Sequence, residues 1–371
     1  MGSRQDRRID AEGRDLLVRL SFGLGRHTVK PRSMRNRIVR RPAAELARLF
    51  WPTVLLALSC GGGSGVTGPV IIASDPAAAQ IVTSDLAHFW AAYDAGGKNG
   101  SSAEFQTGYL NAASNGLQDF ISLRSVTAAS LAQMVAAYPR YFASIRASNL
   151  AFATDGALAA RVRANFTTIK SLYPPAVFPP VTLLIGRFSS GGTTSLNGIL
   201  IGTEFYSKAS DTPLDELAAF QRTNVKSADS LPIIVLHEHA HILQARANGV
   251  FGHANKNLLE QALIEGGADF IGERSSGGNI NAWLWPTAIP LEASLWAEFK
   301  TAMHGTDVSR WLYNQGSSTA TPTRPGDLGY FIGYRIVEAY YAKQADKIAA
   351  LRDIIEMKDA DAVLAASGYA P

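Results

Sequence analysis

Apolar residues recur with helical spacing through the part of the chain that follows residue 77. Two groups have the spacing of a single helix face, and both are rich in aromatic residues. They are Ile81, Leu86, Phe89, Trp90 and Tyr93, and then Leu131, Met134, Val135, Tyr138 and Tyr141. Because such stripes usually pack into a hydrophobic core, we predict a helical lobe over residues 77–175.

The pattern changes after the prolines that lie between residues 174 and 180. Val181 to Phe188 and Gly198 to Tyr206 are apolar runs joined by a Ser-Ser-Gly-Gly-Thr-Thr segment, which predicts two strands and a loop. Helical spacing then returns, and we predict an α+β protein that is predominantly helical. The later predicted helices are Asp211–Val225, Leu291–His304, Asp327–Lys343 and Ala345–Glu356.

The most informative segment is an apolar helix predicted over residues 231–245. It carries His237, Glu238 and His241 in the spacing His-Glu-x-x-His. Residues four apart lie on one helix face, so both imidazoles can point at one metal ion. Glu238 is rotated to the flank, where its carboxylate can reach water at the metal without becoming a ligand.

A second predicted helix, from about Asn257 to Glu273, supplies two carboxylates. Glu265 is the candidate third ligand, since a catalytic zinc ion needs three protein ligands and one open position. Asp269 lies one turn further along and could accept the remaining imidazole proton of a ligand. Gln244 could brace the site. The alternative is a histidine pair that binds no metal, which would need polar partners inside an apolar helix.

His239 is separated from the metal motif by its position on the helix. It lies two residues after His237 and therefore on the other side of the helix. We interpret it as a packing or surface residue.

Together, His237-Glu238-x-x-His241 and Glu265-x-x-x-Asp269 resemble the gluzincin metallopeptidases, the thermolysin-like group whose third ligand is a glutamate. The likeness is closer to bacterial families described as predicted zinc-dependent proteases, which include lipoproteins related to gliding-motility components. Those families share a late Gly-Tyr-x-x-Gly-Tyr segment, here residues 329–334. The resemblance, over residues 80 to 345, implies a zincin-like core with a small sheet and a flanking helical bundle.

The resemblance also implies a group that stabilises the oxyanion. Gluzincins commonly use a tyrosine or a histidine there, so Tyr330 and Tyr334 are the candidates, with His304 as a weaker one. A buried structural tyrosine is the alternative for either position.

In gluzincins an edge strand beside the metal pairs with extended substrate through its backbone. That likeness gives five candidate substrate-binding residues, and the alternative is that this strand only completes the sheet. The candidates are Ile199, Leu200, Ile201, Gly202 and Thr203.

The N-terminal segment has the features of an export signal. Met34 begins an Arg-rich stretch, and residues 49–59 form an apolar run of 11 residues that is too short to span a bilayer. Cys60, the only cysteine, follows Ala-Leu-Ser and precedes a glycine-rich segment, which resembles the lipobox of bacterial lipoproteins. The alternatives are an ordinary secretory signal or a short buried helix.

These features predict the domain organisation. Residues 1–33 are interpreted as an upstream extension or a misassigned start, 34–59 as a signal peptide, and 60–76 as a tether lipidated at Cys60. Residues 77–371 are the predicted catalytic domain, with strands and zinc helices over 176–275 and a second helical lobe over 276–371. The expected location is the bacterial cell envelope, with the protein anchored by lipid.

Charge argues against nucleic acid as a partner. The whole chain is net +4, but 13 of its 35 basic and 5 of its 31 acidic residues precede residue 60. The remaining part has 22 basic and 26 acidic residues and is net −4. Nothing in the sequence indicates an oligomeric state.

From these observations we expect a zinc-dependent metallopeptidase in which Glu238 assists the attack of zinc-bound water on a peptide bond. Two other hypotheses stay open. One is an envelope assembly or binding lipoprotein that has kept the fold without turnover. The other is a zinc hydrolase that acts on an amide other than a peptide.

Overall fold

The computed structural model describes residues 69–249, 256–317, 320–321 and 323–371. The predicted extension, the signal peptide, Cys60 and the first part of the tether lie outside the described residues. Ala73, which lies in the predicted tether, exchanges two backbone hydrogen bonds with Phe178 at 3.0 and 2.7 Å and is buried. The folded part therefore begins before the predicted boundary at Ala77.

A helical lobe follows the short strand β1 (Ile81–Val82), as the apolar spacing predicts. Its centre is a cluster of aromatic side chains in which Phe89 contacts Trp90, Phe105 and Tyr109 with ring centroids 5.1 to 5.3 Å apart. The helices are Ser84–Ala95 (α1), Ser102–Phe105 (α2), Asn115–Arg124 (α3), Ala128–Ala137 (α4), Pro139–Thr154 (α5) and Ala157–Leu172 (α6), with a π-helical turn at Gln106–Leu110.

A mixed sheet of four strands follows, rather than the predicted pair. Besides β1, the sheet contains Val181–Leu184 (β2), Gly192–Ser195 (β3) and Gly198–Gly202 (β4). The strand order is β1-β2-β4-β3. Strand β4 runs parallel to β2 and antiparallel to β3. The first predicted strand, Val181 to Phe188, extends further than β2, which ends at Leu184. Arg187 and Phe188 cannot continue it, because their positive φ angles of 58° and 56° interrupt extended backbone.

The helix that carries the histidines is α8, Leu231–Asn248, preceded by the six-residue helix α7, Ala219–Asn224. Gly249 ends α8 with φ 68°, a left-handed conformation that glycine adopts without a steric penalty. The predicted helix over residues 211–225 is shorter because a 3-10 turn, Leu214–Glu216, takes up its first part.

The second site helix, α9, is Leu258–Ser276; the predicted first residue, Asn257, caps it, and the helix continues past the predicted end at Glu273. Asn257 and Glu260 form a reciprocal capping box, with side-chain to backbone distances of 2.9 and 2.8 Å. This cap fixes the first residue of α9, and it therefore also fixes the helical turn on which Glu265 lies.

Helices also form the C-terminal part. Helix α12 packs closely against α9, since Gly333 and Gly266 leave no room for a side chain where the two backbones cross. The helices are Trp285–Ala288 (α10), Glu292–Ala302 (α11), Leu328–Lys343 (α12), Lys347–Glu356 (α13) and Ala360–Ser367 (α14), the last of which the sequence pattern missed.

The described residues thus form an α+β fold that is predominantly helical, as predicted. Within that part of the chain, no single helix has the length and apolar composition needed to cross a membrane. Helices α3 and α4 meet those criteria only as a pair, across a bend of 80°.

Candidate functional site

Two helices bring three potential metal ligands together. His237 and His241 lie on α8, and Glu265 lies on α9. The Nε2 atoms of the two histidines are 3.1 Å apart, and Glu265 Oε2 is 3.5 Å from His237 Nε2 and 3.2 Å from His241 Nε2. His237 and Glu265 are buried, and His241 is largely so. These three side chains could hold a metal ion.

Asp269 orients the first histidine. Its Oδ1 lies 2.8 Å from His237 Nδ1, which leaves the Nε2 lone pair free to face the other two ligand atoms. Asn281 donates to both Asp269 oxygens, at 3.2 and 3.0 Å. Burial disfavours a charge on His237, but the carboxylates of Asp269 and Glu265 outweigh it and raise the pKa of His237.

Gln244 orients the second histidine, which agrees with the bracing role considered from the sequence. Its Oε1 lies 2.9 Å from His241 Nδ1, and its Nε2 donates to the Ile264 carbonyl at 2.9 Å. One amide side chain therefore connects the ligand on α8 to the helical turn that carries Glu265.

Glu265 has an orienting partner that sequence reasoning missed. The Tyr313 hydroxyl donates to Glu265 Oε1 at 2.8 Å, while Oε2 faces the imidazoles. Tyr313 lies outside regular secondary structure and has a positive φ of 55°, so no periodic pattern pointed to it. Burial and the Glu265 carboxylate raise the pKa of Tyr313, which keeps its hydroxyl protonated and able to donate.

Glu238 is buried beside the ligands, at the position predicted for a general base. Burial raises its pKa, and the two neighbouring histidines lower it. The backbone of β3 passes very close: a Cβ atom on Gly192 would lie 2.6 Å from Glu238 Oε1 and 2.9 Å from Cγ. The absence of a side chain at Gly192 is therefore what leaves space for this carboxylate.

The ligands and Glu238 open into a cavity of about 950 Å³. Its wall combines charged, polar and apolar groups from β3, α8, α9 and the C-terminal part. Besides the four site residues, it is lined by Arg124, Ser190, Gly192, Thr193, Thr194, Gln244, Ala245, Asn248, Lys256, Glu260, Ile264, Tyr313, Tyr330, Met357, Lys358 and Ala360. A cavity of this size can accept a small organic molecule or a few residues of a peptide.

The structure separates the two tyrosines that the sequence analysis grouped. Tyr330 lines the cavity, and its ring lies along that of His237 with centroids 6.3 Å apart. Tyr334 does not line it, because one helical turn carries the side chain about 5.4 Å further along α12. It packs there against Phe270 and Trp285, with centroid distances of 5.6 and 5.1 Å. The structure therefore contradicts the placement of Tyr334 in the site.

His304 is also outside the site. Its side chain is 57% exposed, and Nε2 lies 3.8 Å from Asp361 Oδ1. His304 does not line the cavity, although Tyr313 from the same segment after α11 does.

The edge-strand prediction chose the wrong strand. Residues 199–202 belong to β4, which is internal to the sheet, paired on both sides and fully buried at Ile199, Leu200 and Ile201. Thr203 begins a 3-10 turn instead of extending the strand. The edge that faces the cavity is β3, through Gly192, Thr193 and Thr194, which the sequence analysis had interpreted as a loop.

His239 packs inside the protein, which is one of the two positions, packing or surface, that the sequence left open. Its ring stacks on Phe178 and contacts Phe166, with centroid distances of 5.2 and 4.7 Å, and Nε2 lies 2.7 Å from the Val177 carbonyl. Burial lowers the pKa of His239 to about 4, so it is neutral at physiological pH.

Comparison with known proteins gives one partial match. A family model described as gliding motility protein GldB matches residues 300–371. No curated protein and no solved structure matches the chain. The matched segment contains Tyr313 and Tyr330 but begins after the end of α9, so it includes none of the three potential metal ligands. This C-terminal part of the chain is similar to a family of gliding-motility proteins.

Proposed function

We propose that the chain is an envelope lipoprotein related to the gliding-motility family, and that its cavity contains a zinc centre that hydrolyses peptide bonds. The family match and the lipobox-like sequence around Cys60 support the first part. The second part depends on the geometry of four side chains, and one observation carries it: three potential ligands and a buried carboxylate converge at the base of an open cavity.

The spacing of the ligand atoms supports zinc. With bonds of 2.0–2.1 Å in tetrahedral geometry, ligand atoms lie about 3.3 Å apart. The three distances here, 3.1, 3.2 and 3.5 Å, bracket that value. Two imidazole nitrogens and one carboxylate oxygen are also a donor set that zinc accepts.

Orientation of the ligands supports the same proposal. His237, His241 and Glu265 each have an outer partner, namely Asp269, Gln244 and Tyr313. Such partners fix the tautomer of a histidine and the direction of a carboxylate lone pair, which lowers the cost of assembling a metal site.

When bound, zinc would polarise the substrate carbonyl and lower the pKa of a water molecule. The protein supplies the remaining groups. Glu238 takes a proton from the attacking water and passes it to the leaving amine. The Tyr330 hydroxyl is held protonated, since burial and then the Glu265 carboxylate raise its pKa, and it is the candidate donor to the oxyanion. Strand β3 offers an edge for extended substrate.

The substitution Glu238→Gln tests this proposal. It removes the base but adds no bulk and changes no ligand, so the purified variant should keep its zinc and lose peptide hydrolysis. A chelator should abolish hydrolysis by the unmodified protein. Hydrolysis that is unchanged by Glu238→Gln would exclude the proposed mechanism.

The second candidate function is that of a non-catalytic envelope lipoprotein, which the gliding-motility match favours. In that case the site would stabilise the fold or a contact, and Glu238 would be dispensable. Cells in which Glu238→Gln restores the full phenotype of the wild-type gene would support this candidate, whereas failure to restore it with normal protein levels would support catalysis.

A further inference from the structure

Arg124 occupies a fixed position at the rim of the helical lobe. It is the last residue of α3, and Ser125 ends the helix in a left-handed conformation with φ 51°. The Arg124 carbonyl accepts a hydrogen bond from Arg187 Nη2 at 3.1 Å. This contact ties the end of α3 to the segment that follows β2, so the side chain of Arg124 leaves from a well-defined point on the backbone.

Arg124 lines the same cavity as the proposed metal ligands. It is partly buried, its Nε has no hydrogen-bond partner, and among the described residues it forms no ion pair with a carboxylate. Burial lowers the pKa of Arg124 and the nearby Glu238 raises it, but an arginine stays protonated in either case. A half-buried cation without a partner is costly unless a ligand supplies the missing anion.

Lys256 and Lys358 also line the cavity. The Lys358 side chain is 82% exposed and lies 3.3 Å from Glu356. It is therefore solvated and already paired. Glu238 is too far from Arg124 to form an ion pair, so it does not satisfy the guanidinium hydrogen bonds.

We propose that Arg124 binds a carboxylate of the substrate, so that the site selects peptides with a negative group close to the scissile bond. This inference rests on the proposed function, because it assigns a subsite to the same cavity. Guanidinium and carboxylate form two parallel charge-assisted hydrogen bonds, which neutral peptide groups cannot replace. The carboxylate is that of a peptide C-terminus or of an acidic side chain.

Binding can be measured separately from turnover. The zinc-loaded Glu238→Gln protein is titrated by calorimetry with three peptides of equal length: one with a free C-terminus, one with an amidated C-terminus, and one amidated but with a single acidic side chain. We expect one of the two carboxylate peptides to bind at least about tenfold more tightly than the neutral peptide. The one that does so identifies the source of the carboxylate.

Substitution of Arg124 gives the decisive comparison. In an Arg124→Gln background the preference should disappear, in Arg124→Lys part of it should remain, and in the control Lys358→Gln it should be unchanged. Equal binding of all three peptides, no binding of any, or a preference that survives Arg124→Gln would overturn the inference. Hydrolysis of all three peptides at equal rates would overturn it and leave the proposed function standing. Selective binding of a carboxylate peptide that the wild type does not hydrolyse would support the Arg124 subsite and contradict the proposed peptidase function.

Discussion

The hydroxyl of Tyr313 donates a hydrogen bond to Glu265 Oε1 at 2.8 Å, so the other carboxylate oxygen is turned toward the two histidines. Tyr313 comes from a non-helical segment 48 residues further along the chain. The proposed metal site is therefore assembled from three parts of the fold, and its candidate third ligand depends on a residue outside both site helices.

Removal of that hydroxyl should weaken metal binding without removing a ligand. We expect Tyr313→Phe to lower zinc affinity by about 10- to 100-fold, the usual effect of losing an outer partner. Competition against a chromophoric chelator measures the change. Tyr334→Phe is the matched control, because its ring packs outside the cavity, and its affinity should equal that of the wild type. Equal affinities for both variants would show that Tyr313 does not orient Glu265.

Gly192 should be intolerant of any side chain. The Cβ of Gly192→Ala would lie 2.6 Å from Glu238 Oε1, so the carboxylate or the strand must move. A misplaced general base typically costs about 100-fold in rate, so we expect a loss of hydrolysis with zinc content retained. The control Thr193→Ala lies on the same strand and adds no atom, and it should keep most of the activity. Full activity in Gly192→Ala would mean that Glu238 is not positioned by β3.

The crossing of α9 and α12 should also depend on glycine. A Cβ on Gly333 would lie 1.8 Å from the Ala262 carbonyl oxygen, so Gly333→Ala must push the helices apart. Helix propensity alone would favour alanine by about 1 kcal/mol, so the two effects have opposite signs. We expect a loss of several degrees in the melting temperature. In contrast, the exposed control Ala342→Gly should show only a propensity loss, and a more stable Gly333→Ala protein would contradict the packing.

Stability should depend on pH through Glu204, which is not one of the residues that line the candidate site. It is fully buried, Oε1 accepts from the Gly186 and Phe188 amides at 2.9 and 2.8 Å, and Oε2 has no partner. Burial raises its pKa from 4.5 to about 7. Between those values the unfolded chain releases the proton and the folded protein keeps it, so the free energy of unfolding falls as pH rises.

The size of this effect is roughly 3 kcal/mol between pH 4.5 and pH 7. Glu204→Gln keeps an acceptor for the two amides and cannot titrate. The difference in unfolding free energy between wild type and variant should therefore shift in favour of the variant as pH rises through that window, as measured by denaturant titration at several pH values. A difference that is constant with pH would show that Glu204 is ionised in the folded protein.

The sequence predicted the features that depend on helical periodicity. The starts of α8 and α9, the convergence of His237 and His241, and the contact of Asp269 with His237 all follow from spacing along apolar helices, although both helices continue past their predicted ends. Helical spacing shows which residues share a helix face, but not which turn of that face lies beside the cavity. For this reason the sequence did not distinguish Tyr330, which lines the cavity, from Tyr334, which does not. Only the packing of α12 on α9 decides that question.

Features that depend on contacts between distant segments were missed. Strand β3 is Gly-Thr-Thr-Ser, half-buried throughout and without apolar alternation, so it resembles a loop in sequence. The strongly apolar β4 was taken for the edge, although continuous burial is typical of an internal strand. Tyr313 and Arg124 reach the site from irregular backbone and from a helix end, where no repeat in the sequence marks which side chain turns inward.

The most direct test of the central claim is the metal content of the purified protein, measured by elemental analysis together with that of Glu265→Ala. The control is Glu273→Ala, which removes another carboxylate from the same helix but outside the cavity lining. We predict one zinc per chain in the wild type and in Glu273→Ala, and little or none in Glu265→Ala. A wild-type protein purified with zinc available yet free of metal, or a Glu265→Ala protein that keeps the full amount, would contradict the three-ligand site.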